Sequence, residues 1–284
     1  MIKQDPKWKI ETLIVSYSHE LDSKVFEEWN KKHGNGLDMP TLFEKINEQT
    51  IKFTFHLPEE LNADVYEKSF KVARIWLVSF NIVTLGHTWW YPALWPYKFK
   101  IYDVSSGEKV TTKFIAKEKR DWRGDALSYE DLKKTAMLFP VIAKLDEKFF
   151  EYYSIATTLL SSPTREHDFY EEISANFYKI IERFIATEIF KTKKASNVDL
   201  NKIIEIYKEL ESSEEMLKEI KDLYRLRGST IMHSLGKDKP VTFEEAGKYK
   251  ILADFLLHKH LLKRAEEGLT QIRQENDANK NPTS

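Results

Sequence analysis

The chain has 284 residues, enough for one large or two ordinary domains. Lys and Arg number 44 against 45 Asp and Glu, so no overall basic excess announces a nucleic-acid partner, although a local patch would suffice. Hydrophobic residues at 42% supply a substantial core, and zero cysteines exclude disulfides, thiolate metal sites and cysteine nucleophiles together.

Lys3, Asp5, Lys7 and Lys9 break up the N-terminus, which carries no secretory pattern; with the missing cysteines this suits a reducing, cytoplasmic setting. Thr12 to Tyr17 is a short apolar strand. Ile51, Phe53, Phe55 and Leu57 alternate with polar residues, the signature of a half-buried strand. A helix follows, with Asn62 as its N-cap and Tyr66, Phe70, Ala73, Leu77 and Phe80 on one face. Ile75 to Tyr97 holds no Asp, Glu, Lys or Arg, but Asn81, Gly86, His87, Pro92 and Pro96 interrupt it. It therefore reads as a buried helix end running into an aromatic loop, not a membrane span. Tyr97, Phe99 and Ile101 alternate again, and Val110 to Ala116 follows Ser105-Ser106-Gly107 as a hairpin.

From about Ser128 the pattern becomes helical. Ser128 with Asp131 caps a helix that kinks or breaks at Pro140, and Phe149 to Leu160 continues helical. Ser162-Pro163 marks a new start. Phe169, Ile173, Phe177, Ile180, Ile181, Phe184 and Ile185 form the next amphipathic face. Asp199 caps a helix carrying Leu200, Ile203, Ile204, Tyr207 and Leu210. Ser212 with Glu215, then Thr242 with Glu245, are capping-box patterns opening two further helices, the last ending near Glu266. Gly236 and Pro240 punctuate the join between them. From Gln271 the composition is polar and reads as disordered. The expected fold class is an α+β N-terminal domain over 1–127, then an all-α domain over 128–268 and a tail over 269–284, predominantly helical overall.

The stretch Tyr224-Arg225-Leu226-Arg227-Gly228-Ser229-Thr230-Ile231-Met232-His233 closes the penultimate helix. Arg227 is followed six positions later by His233. Such spacing arises by chance about once in a chain of this composition, and a histidine near a helix end is favoured by the dipole alone. Its place is more informative, before a Gly/Pro join and one last long capped helix.

This arrangement over Phe149 to Leu262 resembles the HEPN superfamily, and within it the Apea-like members. Their motif is Arg, four to six residues, then His, at this place in a helical bundle. The resemblance implies a HEPN-like helical bundle and a metal-independent endoribonuclease, or a catalytically silent relative that binds nucleotides, RNA or protein partners. It assigns phosphate stabilisation to Arg227 and proton transfer to His233. Histidine exchanges protons near neutral pH, and arginine places two donors on a developing phosphorane. RNA supplies its own 2′-hydroxyl nucleophile, so no metal and no cofactor are expected. Six helical positions rotate by about 600°, leaving the side chains roughly 120° apart with about 9 Å of rise between them. Active members pair two motifs across a dimer, so a homodimer through the helical domain is expected. Active members also carry a polar residue directly after the arginine; here that position is Gly228, and Ser229 is the supporting polar group one step late.

Glu188 is a second supporting candidate. It continues the apolar stripe of Phe177, Ile181 and Phe184 near a helix C-terminus, where a negative charge is disfavoured, so it needs a cation. Related bundles place an acidic residue facing the motif, which makes Arg227 a candidate partner; a frayed, solvated Glu188 is the alternative. Trp89-Trp90-Tyr91 with Trp95 and Tyr97 are able to stack bases or sugars, but aromatics beside proline more often pack a loop or interface. His258 and His260 stand two apart on a helix, poor spacing for a metal, and His167-Asp168 beside Glu171 and Glu172 reads as a polar helix start. The expected function is single-stranded RNA cleavage as a toxin or antiviral defence effector, with an antidote or sensor partner and no membrane. The alternatives are a silent binding module, and a ligand sensor built on the Trp-rich segment.

Overall fold

A computed structural model describes residues 6–33, 42–58, 65–90, 99–105, 126–161, 169–192, 198–226 and 241–280. The chain is mixed α and β and mostly helical. It divides into two compact units, 1–136 with 157–167, and 137–156 with 168–284. No helix among the described residues is long and apolar enough to cross a membrane.

The first unit is built on an antiparallel sheet. Strand β1 (Pro6–Ser16) leads to helix α1 (Ser23–His33), then β2 (Leu42–Lys45) and β3 (Thr50–Pro58). Helix α2 (Val65–Thr84), β4 (Thr88–Trp90) and β5 (Phe99–Asp103) complete the series, in the order β2-β3-β1-β4 with β5 also on β1. The β1–β3 register sets Ile10 opposite Phe55, Thr12 opposite Phe53 and Ile14 opposite Ile51. Period-two alternation thereby puts these six side chains on one buried face. Trp76 of α2 packs there against Phe43, Phe53 and Phe80 at ring separations of 5.7, 5.9 and 5.9 Å. From Ile75 to Val83 every residue of α2 is buried, as its lack of charge demands.

One expectation is corrected here. Trp89 and Trp90 belong to a strand, pairing with Val15 and Ile14 of β1, not to a loop. Both are buried: Trp90 stacks on Phe70 at 4.8 Å, and Trp89 donates its indole N–H to Thr158 at 3.1 Å. Packing therefore accounts for these two rings. A tight αL turn at Leu85 sends the chain back towards β1, and a Cβ on the next residue, Gly86, would lie 2.2 Å from His19. Asn62, Tyr91, Trp95, Tyr97, Ser162, Pro163 and the Val110–Ala116 hairpin lie outside the described residues.

Ser128 and Asp131 exchange backbone-to-side-chain bonds of 2.9 and 3.1 Å, the expected cap of α3 (Tyr129–Ile142). Pro140 stands inside α3, and the break comes after Ile142, before α4 (Glu147–Ser161). Pro140 has no N–H for the carbonyl four residues back, which weakens the last turn, and the helix ends two residues later.

The second unit holds the end of α3, α4 as far as Ala156, α5 (Tyr170–Phe184) with a π-helical turn (Ile185–Ile189), α6 (Leu200–Glu209), α7 (Glu214–Leu226) and α8 (Phe243–Lys280). Asp199 caps α6 through Lys202 N–H at 3.0 Å. Thr242 and Glu245 form the expected capping box of α8, at 2.8 and 3.2 Å. The cap of α7 is Ser213, which accepts from Met216 N–H at 3.2 Å, and not Ser212. The reason is local. Glu211 turns through αL at φ 57°, and the N–H groups of Glu211 and Ser212 bond back to Lys208 and Tyr207. This Schellman closure of α6 uses up Ser212, leaving Ser213 as the first residue able to cap. Helix α8 runs past Glu266 to Lys280, through the stretch read as a disordered tail. A composition too polar to fold alone still extends a helix already nucleated upstream, because propagation costs far less than initiation.

Candidate functional site

Helices α5 and α8 run parallel and in step. Tyr170 meets Phe243 at 5.9 Å, Phe184 meets His260 at 5.9 Å, and Glu188 meets Arg264 at 2.7 Å. Helix α7 packs on α8: Glu219 pairs with Lys248 at 3.4 Å, and Asp222 acts on Tyr249. Tyr224, near the end of α7, packs its ring on Tyr178 of α5 at 6.0 Å. The last residue of α7 is Leu226, and Arg227 follows it in the chain. Arg227, Gly228, Ser229 and His233 lie outside the described residues, as do His167 and Asp168.

Glu188 is described, and it does have a cation. The partner is Arg264 of α8, which donates to the Glu188 carboxylate at 2.7 Å and to the Glu188 backbone carbonyl at 2.8 Å. Lys191 adds a longer contact of 3.6 Å. The expected partner, Arg227, lies outside the described residues; the cation that Glu188 meets among the described ones is Arg264. The π turn inserts a residue into the helical count, so the stripe of Phe177, Ile181 and Phe184 does not carry to Glu188 at α spacing. Burying the peptide groups of this wider turn is compensated locally, with Phe190 N–H on Ile185 carbonyl at 2.9 Å and Thr192 N–H on Ala186 carbonyl at 2.8 Å.

Family models, curated proteins and solved structures offer no match to this chain. The chemistry of the helical unit therefore has to be read from its own groups.

Sequence reasoning missed the most deeply buried of them. Lys250 and Asp254 of α8 are both essentially without solvent contact and form an ion pair one turn apart. Tyr153 of α4 donates to the other oxygen of Asp254 at 2.7 Å. Beside them Tyr207 of α6 donates to the Leu252 carbonyl at 2.8 Å. Burial pushes the Lys250 ammonium below its ordinary pKa, against the pull of Asp254, and burial pushes the Asp254 carboxyl up, against Lys250 and the Tyr153 hydrogen bond. Burial and the nearby Asp254 charge raise the Tyr207 phenol well above its usual range. One signal was legible. Lys250 and Asp254 stand at i and i+4 among Ala246, Leu257 and Leu261, all buried, so an opposite-charge pair interrupts an apolar stripe.

His260 was noted only for its spacing from His258. The two point to different surroundings, His258 acting on Asp254 and His260 packed against Phe184. The His260 Nε2 is buried and has no hydrogen-bond partner among the described residues. Burial, then the Arg264 charge, hold its pKa below the ordinary value, with Glu209 opposing. No group of three His, Asp or Glu among the described residues is arranged to hold a metal.

Proposed function

We propose that this protein is a HEPN-type, metal-independent endoribonuclease of single-stranded RNA, acting as a toxin or antiviral defence effector. The supporting observation is the packing of α7 on α8 within one helical unit. The Arg227–His233 stretch joins the end of α7 to the capped start of α8, the position the motif occupies in the family it resembles. The 2′-hydroxyl attacks the adjacent phosphorus and forms a 2′,3′-cyclic phosphate as the 5′-oxygen leaves. His233 transfers the proton and Arg227 stabilises the phosphorane charge. Two copies of the motif, one from each protomer of a homodimer, supply both groups to one phosphate. Glu188 and its partner Arg264 tie the π turn to α8.

Gly228 favours a second reading. Active relatives carry a polar group directly after the arginine, and glycine offers none. The same unit would then be a silent RNA-binding or protein-interaction module.

The test is incubation of labelled single-stranded RNA in EDTA with the parent, His233→Ala and Arg227→Ala. Cleavage by the parent that falls at least a hundredfold in both variants supports the nuclease. Binding without cleavage supports the module, and equal cleavage by all three sinks the site assignment. Light scattering at micromolar concentration checks the dimer, which a monomer would refute.

A further inference from the structure

The π turn carries an exposed aromatic ring set among cations. Phe190, the residue that caps its C-terminus, is 43% exposed, although its backbone N–H is fixed to the Ile185 carbonyl at 2.9 Å. Lys202 of α6 places its ammonium 6.0 Å from the centre of that ring. Lys191, the next residue, turns through αL at φ 53°, and its side chain is 69% exposed. Arg264 spends two of its five N–H donors on Glu188; the other three have no protein partner among the described residues. Its guanidinium also lies 6.0 Å from the Phe184 ring. Glu188 pairs with both Lys191 and Arg264, and Asp199 stands 3.7 Å from Lys202, so the three cations outnumber the two carboxylates they meet.

We infer that Phe190, Lys191, Lys202 and Arg264 form a docking site for single-stranded RNA. A base stacks on the exposed face of Phe190, and the flanking phosphates meet the two ammoniums and the spare guanidinium donors. Each part has a physical reason. An exposed ring held on a hydrogen-bonded turn stacks with little loss of freedom. The Glu188 carboxylate fixes the guanidinium without using all its donors. An acidic peptide would satisfy the cations but leave the ring without a stacking partner. The inference takes only the identity of the nucleic acid from the proposed function; the site itself stands on the turn and its cations.

The experiment separates binding from cleavage. Fluorescence anisotropy of a labelled oligouridine is measured in EDTA on the full chain carrying His233→Ala, with and without Phe190→Ala, Lys191→Ala and Lys202→Ala together. The triple variant should weaken binding at least tenfold and flatten the salt dependence by about 1.4 in log–log slope, the loss of two phosphate contacts on a single strand. Phe190→Trp should bind at least as tightly as the background. Unchanged affinity in the triple variant overturns the site, as does a background protein that binds no RNA. Competition by polyglutamate as effective as RNA of equal charge also overturns it, because it would mean a site for acidic protein. All three side chains are solvent-accessible, so circular dichroism should match the background; if the triple variant fails to fold, Phe190→Ala against Phe190→Trp decides alone. Loss of cleavage in His233→Ala with the site intact tests the nuclease reading separately.

Discussion

The two units differ in the polarity they bury. In the sheet unit the buried polar side chains are hydroxyls, one amide and one imidazole, and backbone groups serve many of them. Asn81 takes both the N–H and the carbonyl of Thr88, at 2.6 and 3.0 Å, and Ser69 and Ser79 donate back to the carbonyls of Val65 and Ile75. In the helical unit Glu182, Lys250 and Asp254 are buried charges, and among the described residues none lies in the sheet unit. The difference follows from what each architecture leaves unpaired. A sheet that ends in irregular turns has backbone groups to satisfy, and short neutral side chains reach them. Short neutral side chains on helices of both units return to a carbonyl four residues back, as Ser69 and Ser79 do on α2 and Ser174 and Asn176 on α5, whereas a buried charge needs a charged side chain, as Lys250 and Asp254 find in each other.

The sharpest way to break this contrast is to remove one member of each kind. Asp254→Ala strands the Lys250 ammonium and leaves the Tyr153 hydroxyl without its acceptor; we expect a loss of about 3 to 5 kcal/mol in urea unfolding. Asn81→Ala leaves two backbone groups of Thr88 unpaired and should cost about 2 kcal/mol. The double change Lys250→Met with Asp254→Leu should recover most of the first loss, because a well-packed apolar pair replaces a buried ionic one at little cost. Failure of that rescue would mean that the charges serve more than packing.

The contrast also explains what the sequence discloses. The strand at Ile51 to Leu57 is legible because period two leaves no ambiguity about its buried face. The caps at Ser128, Asp199 and Thr242 are legible because each is a local exchange between residues three apart. Ser213 escapes, since whether Ser212 is free to cap depends on how α6 ends. Arg264 as the partner of Glu188 escapes as well. That pairing spans 76 positions and depends on a π turn that no spacing announces. The Arg227–His233 stretch is visible only as sequence, and its assignment rests on the order of helices around it.

A smaller effect sharpens the comparison through pH. His260 has a folded-state pKa held below its ordinary value of 6.5 by burial and by Arg264. Below that value the unfolded chain binds the proton more readily than the folded one. The contribution is therefore full above pH 6.5 and is lost as the pH falls towards the depressed folded value. Thermal unfolding compared between pH 7.5 and 5.5 should show a larger fall for the parent than for His260→Leu. Equal falls would show that His260 is solvated and carries no linkage.

The smallest effect concerns the turns. Both units turn helix ends through αL without glycine, at Leu85 in the sheet unit and at Lys191 and Glu211 in the helical unit. Leu85 is followed by Gly86, which is wedged against His19 and Ser18, so tertiary contact fixes that turn. Glu211 is exposed and is held only by the local Schellman bonds to Tyr207 and Lys208. An L side chain in αL costs about 1 to 2 kcal/mol, and glycine gives back part of that relief through its greater freedom when unfolded. Glu211→Gly should therefore stabilise the helical unit by about 0.5 to 1 kcal/mol, read as a raised urea midpoint at unchanged slope. A destabilised variant would mean that the Glu211 side chain contributes more to the α6–α7 turn than its αL backbone costs.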